Sequence, residues 1–311
     1  MLFQSAPLQA MDSLRIAGWS KPISEITNIL AEPDKGFFQA QDIDLGYVSG
    51  TGGGSAITNM IAGAAEVAFT DPASFYQAVD KGEDLVAIYN IYPQNVFNVV
   101  SPVDRGITKP EDLKGKTIGV YSLSSGTRQN LQVLLHQVGL TEDDVTIKVT
   151  GLLNFAPVIQ GQVDATAATD TGLYVGGLKG LGAVNVINVK DSLNVPSDMF
   201  VVTRPYYNAN KSLLRRFLIA YRDSAAWMIN APAEAAKVAV ERSINGRNET
   251  VNLEIIKIRN ISAQSATTKA SGLGHFDIDL LQQGADTFYE LGLIEAKLDM
   301  GEVIKTDLIP N

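Results

Sequence analysis

Cysteine is absent from this 311-residue chain, which excludes disulfides, thiolate nucleophiles and cysteine-held zinc or iron–sulfur sites and leaves the redox compartment open. Histidine is almost as scarce. With only His136 and His275, neither a histidine-rich metal centre nor a conventional histidine-based triad is expected. No apolar run approaches the roughly 20 residues that cross a bilayer. Basic side chains are outnumbered, 25 Lys and Arg against 34 Asp and Glu, and the net charge of −9 argues against nucleic acid or an anionic membrane as partner. A small anion stays possible, because donors gathered in a cleft outweigh a distant, screened net charge. Met1 to Ala10 lacks both a basic n-region and a full apolar h-region, so it does not read as an intact secretory signal.

What is present points to an α/β protein. Hydrophobic residues make up 45% of the chain and charged ones 19%, as in an ordinary globular protein, and 311 residues is long for one core, so two lobes are expected. The stretch Leu113 to Gln129 reads as a turn at Lys114-Gly115-Lys116, a strand from Thr117 to Tyr121, a polar loop, and a helix beginning near Arg128. Its loop carries Ser122, Ser124, Ser125, Gly126 and Thr127. Unpaired amides and hydroxyls at the positive end of a helix suit a small anion; equally, one hydroxyl can simply cap the helix.

A second loop of the same kind lies upstream. The strand Ile43 to Val48 is followed by Ser49-Gly50-Thr51-Gly52-Gly53-Gly54-Ser55 and a helix from Ala56 to Ala62. No Lys-Ser/Thr pair follows the glycines, so this is not a nucleotide P-loop, and the dinucleotide spacing is also missing. Short strands at Leu14–Ala17, Val67–Thr70, Leu85–Tyr89 and Phe97–Val100 alternate with helices, the mark of parallel sheets covered on both faces. An internal echo joins the two loops: Gly63, Glu66, Val67-Ala68 and Thr70-Asp71 answer Gly161, Asp164, Ala165-Thr166 and Thr169-Asp170. Two lobes built on one plan follow, with residues 12–100 and 201–311 in the first and 101–200 in the second. After Thr203 the chain reads as helical, alanine-rich packing scaffold, with helices over 213–230, 233–243 and 280–291.

Several phrases in this order resemble the periplasmic substrate-binding proteins that serve ABC importers of nitrate, sulfonates, taurine and thiamine precursors. They are Gly36-Phe37-Phe38 with Ile43-Asp44-Leu45, ITKPEDLKGKTIGV from Ile107 to Val120, Gly161-Gln162-Val163-Asp164-Ala165, the helix pair around Asn230-Ala231-Pro232, and Tyr289 to Ile294. The resemblance implies a two-lobed type 2 periplasmic-binding fold, two crossover strands near Phe97 to Val103 and Met199 to Arg204, and a cleft that closes on its ligand. It implies no cofactor and no catalysis. The partners would be a small-molecule ligand and an ABC permease and ATPase, the protein itself being a periplasmic monomer.

Loops at the carboxyl ends of strands are where open α/β sheets hold ligands. The candidate residues are therefore Trp19 and Ser20; Thr51, Gly53 and Ser55; Asp71 and Ala73; Tyr92; Ser122 to Thr127 with Arg128; Asn154 and Phe155; and Thr169 and Asp170. Trp19 is expected to wall the cleft and stack on a planar ligand. Asp71 and Asp170 either bind a ligand amine or hydroxyl or cap the following helices, and Arg128 either points to solvent or pairs with an acid group. The expected solute is a small organic anion: a sulfonate, a carboxylate or a pyrimidine-type compound. The competing functions are an enzyme resembling thiamine-pyrimidine synthase, from which the absence of cysteine departs, and a sensor or tripartite-carrier binding protein.

Overall fold

The computed structural model describes residues 10–153 and 155–310. Among the described residues, ten strands form two five-stranded sheets. The first sheet has the order β2-β1-β3-β10-β4 and uses β1 (Asp12–Ala17), β2 (Ile43–Val48), β3 (Val67–Thr70), β4 (Leu85–Tyr92) and β10 (Asp198–Thr203). The second has the order β7-β6-β8-β5-β9, from β5 (Phe97–Pro102), β6 (Thr117–Val120), β7 (Thr146–Val149), β8 (Ala165–Thr169) and β9 (Val184–Asn188). In each sheet the first three strands are parallel, and the fourth runs antiparallel to both of its neighbours. β3 and β8, the strands of the internal echo, hold the same third position.

Those antiparallel strands correct one expectation. Phe97 to Val103 and Met199 to Arg204 were expected to bridge the lobes, but β5 pairs wholly inside the second sheet and β10 wholly inside the first. The chain passes between sheets at 93–96 and 189–197. These two links are laced together: Asn95 N donates to Asn194 Oδ1 at 3.1 Å, Asn95 Nδ2 to Leu193 O at 3.1 Å, and Ser197 N to Tyr92 O at 2.9 Å.

Burial on both faces of the first sheet follows from period-two alternation. Along β10, Met199 and Val201 enter one core, whereas Phe200 and Val202 enter the other. Phe200 anchors an aromatic cluster, 4.6 Å from Tyr221 and 5.1 Å from Phe217 between ring centroids, both edge-to-face. The helices that frame the space between the sheets are α1 (Gly53–Ile61), α2 (Pro72–Asp80), α3 (Gly126–Gln137) and α4 (Asp170–Leu178). Beyond β10 come α5 (Lys211–Asn230), α6 (Pro232–Arg242), α7 (Glu249–Ser262) and α8 (Ile278–Glu290). α7 has no counterpart among the expected helices. Asn248 caps it by accepting from Val251 N, and the buried Asn252 holds its first turn by donating to Ala236 O and Gly246 O.

Candidate functional site

Between the two sheets lies a cavity of about 340 Å³. Helix starts and strand ends from both sheets converge on it, as expected for open α/β architecture. The halves touch along both rims. On one rim the two Gly/Ser loops meet: Gly54 N donates to Ser124 O at 3.0 Å, and the Oγ atoms of Ser124 and Ser122 donate to Thr51 O. On the other rim Arg259 of α7 joins Glu25 to α4. Its Nε donates to Glu25 Oε2 at 2.6 Å, its Nη2 to Thr171 Oγ1 at 2.9 Å, and its Nη1 lies 2.8 Å from Asp170 Oδ1, close enough to pair but outside hydrogen-bond alignment. Thr171 Oγ1 donates in turn to Glu25 Oε1.

Of the residues singled out in the sequence, Trp19, Gly53, Asp71, Ser125, Gly126, Thr127, Phe155 and Thr169 line the cavity. The others stand outside its lining. Thr51, Ser122 and Ser124 form the rim seam, and Ser55 Oγ accepts from Thr51 N. Ser20 is buried and donates to Lys21 O; Ala73 belongs to the core under α2. Tyr92 lies beneath the guanidinium of Arg259, 5.5 Å away, with its hydroxyl donating to Glu25 O. Arg128 is spent on Glu142 and on Leu123 O. Asp170 belongs to the Arg259 network, and Asn154 lies outside the described residues.

The two echo segments divide their duties differently. Asp71 caps α2, accepting from Ser74 N at 2.8 Å and Ser74 Oγ at 2.9 Å. In the second half Thr169 takes the capping role for α4, accepting from Gly172 N, which frees Asp170 for Arg259. Close approach explains two glycines. A Cβ on Gly53 would fall 2.0 Å from Asp71 Oδ2, and Gly52, with φ of 128°, would place one 2.4 Å from Ser124 O.

Sequence reading missed the polar residues with the most influence on the cavity: Glu25, Thr171, Asp198 and Arg259. Val251, Ile255 and Arg259 recur every four residues on α7 and so present one face to the cavity, a row that was available in the sequence. Arg259 is 2% exposed. Burial opposes its charge, but Asp170 and Glu25 more than offset that and hold its pKa above the ordinary guanidinium value. Asp198, at the start of β10, is 8% exposed, and its carboxyl accepts no hydrogen bond among the described residues. Burial, then the neighbouring Asp71, push it well above the usual carboxylate range, with Arg259 acting in the opposite sense. The indole Nε1 of Trp19 is likewise buried and without an acceptor.

Asp71 gives a pH signature. Burial pushes its carboxyl up from 3.8 to about 6 despite the Ser74 bonds. Between these values the folded chain holds more of this proton than the unfolded chain. Its contribution to stability therefore falls as the pH rises from about 4 to about 6, by at most ~1.4 kcal/mol per unit. Asp71→Asn keeps a good cap residue and should remove that component of the slope in urea titrations at pH 4, 5 and 6. An identical slope in the variant would assign the effect elsewhere.

Two mixed sheets of one plan, joined by paired links around a shared cavity, define the periplasmic-binding-protein fold. The alkanesulfonate-binding protein SsuA of Xanthomonas axonopodis pv. citri, bound to MOPS, superposes with a TM-score of 0.73 at 20% identity, covering 97% of this chain and all of that one. The nitrate-binding protein NrtA of Synechocystis PCC 6803 gives 0.67 at 11% identity over 96% and 87%. In sequence, the riboflavin-binding protein RibY of Chloroflexus aurantiacus is 22% identical over 246 residues, 78% of this chain and 70% of that protein. The chain belongs to the NMT1/THI5-like family, whose model matches residues 23–235.

Proposed function

We propose that this chain is the solute-binding component of an ABC importer, working in the periplasm and handing a small organic ligand to a membrane permease driven by an ATPase. The observation that carries the reading is the cavity itself: it is enclosed between two sheets whose rims touch, and it has a volume typical of a small-molecule site. The laced links at 93–96 and 189–197 provide the pivot such a protein needs, and the body built on the second sheet, residues 97–188, would move against the one built on the first, which shifts the boundaries expected at 100 and 200 so that β5 and β10 stay whole. The names of the relatives, which bind sulfonate, nitrate and riboflavin, support small-solute capture.

Among the three solute classes suggested by the sequence, the pyrimidine type fits the cavity best. Trp19, Phe97, Tyr121 and Phe155 offer flat apolar walls, while Glu25, Asp71 and Asp198 supply acceptors. A sulfonate or carboxylate would meet those three acids and a guanidinium already engaged by protein partners, with only the exposed Lys179 as a further cation in the lining. The enzyme alternative would need a histidine at the site. His136 and His275 stand away from the cavity lining, beside Leu291 O and Gly272 O respectively.

The test is native mass spectrometry of the purified protein, followed by a thermal-shift panel of sulfonates, nitrate, aromatic carboxylates and pyrimidines. A bound ligand at a hundredfold excess over Kd stabilises by about 2.7 kcal/mol, a rise of several degrees in Tm. Chemical conversion of the captured compound would end the proposal, as would a response to free metal ions alone.

A further inference from the structure

We infer that the deep end of the cleft takes an organic nitrogen base, held by a charge-assisted hydrogen bond from a ligand N–H to the carboxyl of Asp198. The inference rests on the solute-capture reading and names the chemistry of what is captured. Two independent features point to it. First, Asp198 is a carboxyl more than nine-tenths buried that lines the cavity and accepts no hydrogen bond among the described residues. A buried polar group left without a partner costs stability, so its placement makes sense when a guest supplies the donor. Second, the adjacent cation is not free to receive an anion: Arg259 is committed to Glu25, Thr171 and Asp170. An anionic head group would meet the carboxyls of Asp71 and Asp198, whereas a cationic one pairs with Asp198 as it ionises.

The rest of the cavity complements such a base. Trp19 lines the cavity, and its indole suits a flat ring on the same ligand. At the other end the lining becomes apolar, with Leu152, Leu153, Val175 and Ile255. Leu153 is 68% exposed there, at the mouth. The base therefore sits inward and its hydrocarbon or aromatic body faces out.

At a pH where Asp198 carries a proton, binding of a cation displaces it: the O–H bond breaks, the proton passes to buffer, and the carboxylate pairs with the ligand N–H. The charged groups facing Asp198 are Asp71, Arg259, Glu25 and Asp170. The phenols of Tyr47, Tyr92 and Tyr221 are near enough to feel its charge. Affinity for the cation should rise with pH as Asp198 ionises.

Benzamidine, its neutral isostere benzamide, and benzenesulfonate are the probes, measured by calorimetry in two buffers of different ionisation enthalpy. The 311-residue chain is expected to bind benzamidine more tightly than benzamide, and to release a proton on doing so at a pH low enough for Asp198 to hold one. Asp198→Asn, which keeps the shape and removes a buried acid, should unfold at the same temperature or higher. It should lose about tenfold to a hundredfold in benzamidine affinity along with the released proton, while benzamide binding changes little. Benzamidine binding equal in Asp198→Asn and the parent, or no benzamidine binding at all, overturns the inference. A response to benzenesulfonate alone overturns it too but leaves solute capture standing.

Discussion

Arg259→Met should destabilise the protein by about 3–5 kcal/mol, the usual result of deleting one member of a buried ion pair. Arg259 holds Glu25 on one side of the cleft and Asp170 with Thr171 on the other. Deleting it leaves the Glu25 side chain, 14% exposed, as an unpaired acid, while Asp170 at 34% can recover water. The double variant Glu25→Gln with Arg259→Met should therefore recover part of the loss. Urea denaturation of the three proteins measures the loss and the recovery. A loss below 1 kcal/mol, or no recovery in the double variant, would mean that solvent already screens the network. Small-angle scattering should also show the variant more expanded, since this rim would no longer be fastened.

Gly54→Leu should abolish tight ligand binding with little effect on the stability of the unliganded chain. Gly54 lies in the first turn of α1, and a Cβ there would already sit 3.3 Å from Ser124 Cβ and 3.4 Å from Ser124 O in the facing loop. Leucine favours helix over glycine by up to about 1 kcal/mol, so the first half is not harmed. Its side chain instead wedges the seam apart, removes the Gly54 N to Ser124 O bond, and costs roughly 1–3 kcal/mol of overpacking whenever the rims meet. Affinity for any cleft ligand should fall about tenfold to a hundredfold, and the radius of gyration should no longer shrink on ligand addition. Gly54→Ala should fall between. Unchanged affinity in the leucine variant would show that the seam is not part of the bound state.

The strands and the α/β alternation were legible because short β-branched runs bounded by Gly, Pro and polar turns are local signals. β2 and β3 fall where the sequence places them, and β4 runs three residues beyond Tyr89 because Asn90 to Tyr92 still pair with β10. The Gly/Ser loops were legible as places of exposed donors, but not in what they donate to. A facing loop and a ligand satisfy such groups equally well, and only the tertiary arrangement decides. α7 was overlooked because ETVNLEIIKIRNIS mixes charges and aliphatics, so that the turn at Asn245 to Asn248 before it was not followed by a clear apolar stripe. A lone arginine in such a helix reads as surface. Its burial depends on carboxylates more than 80 residues away in the chain, and no local pattern announces those. Asp198 was hidden for a related reason: its environment is made by Asp71, Glu25 and α7, which arrive from three separate segments.

The placement of β10 also bears on how the chain is made. All strands of the second sheet lie between residues 97 and 188, so that sheet can be completed while the remainder is still being synthesised. The first cannot, because β4 is joined to β3 only through β10, which emerges after residue 197. The amino-terminal portion must wait, with an unmatched strand edge, for its carboxyl-proximal closure. A chaperone or export factor acting on the nascent polypeptide has that interval in which to find it incomplete.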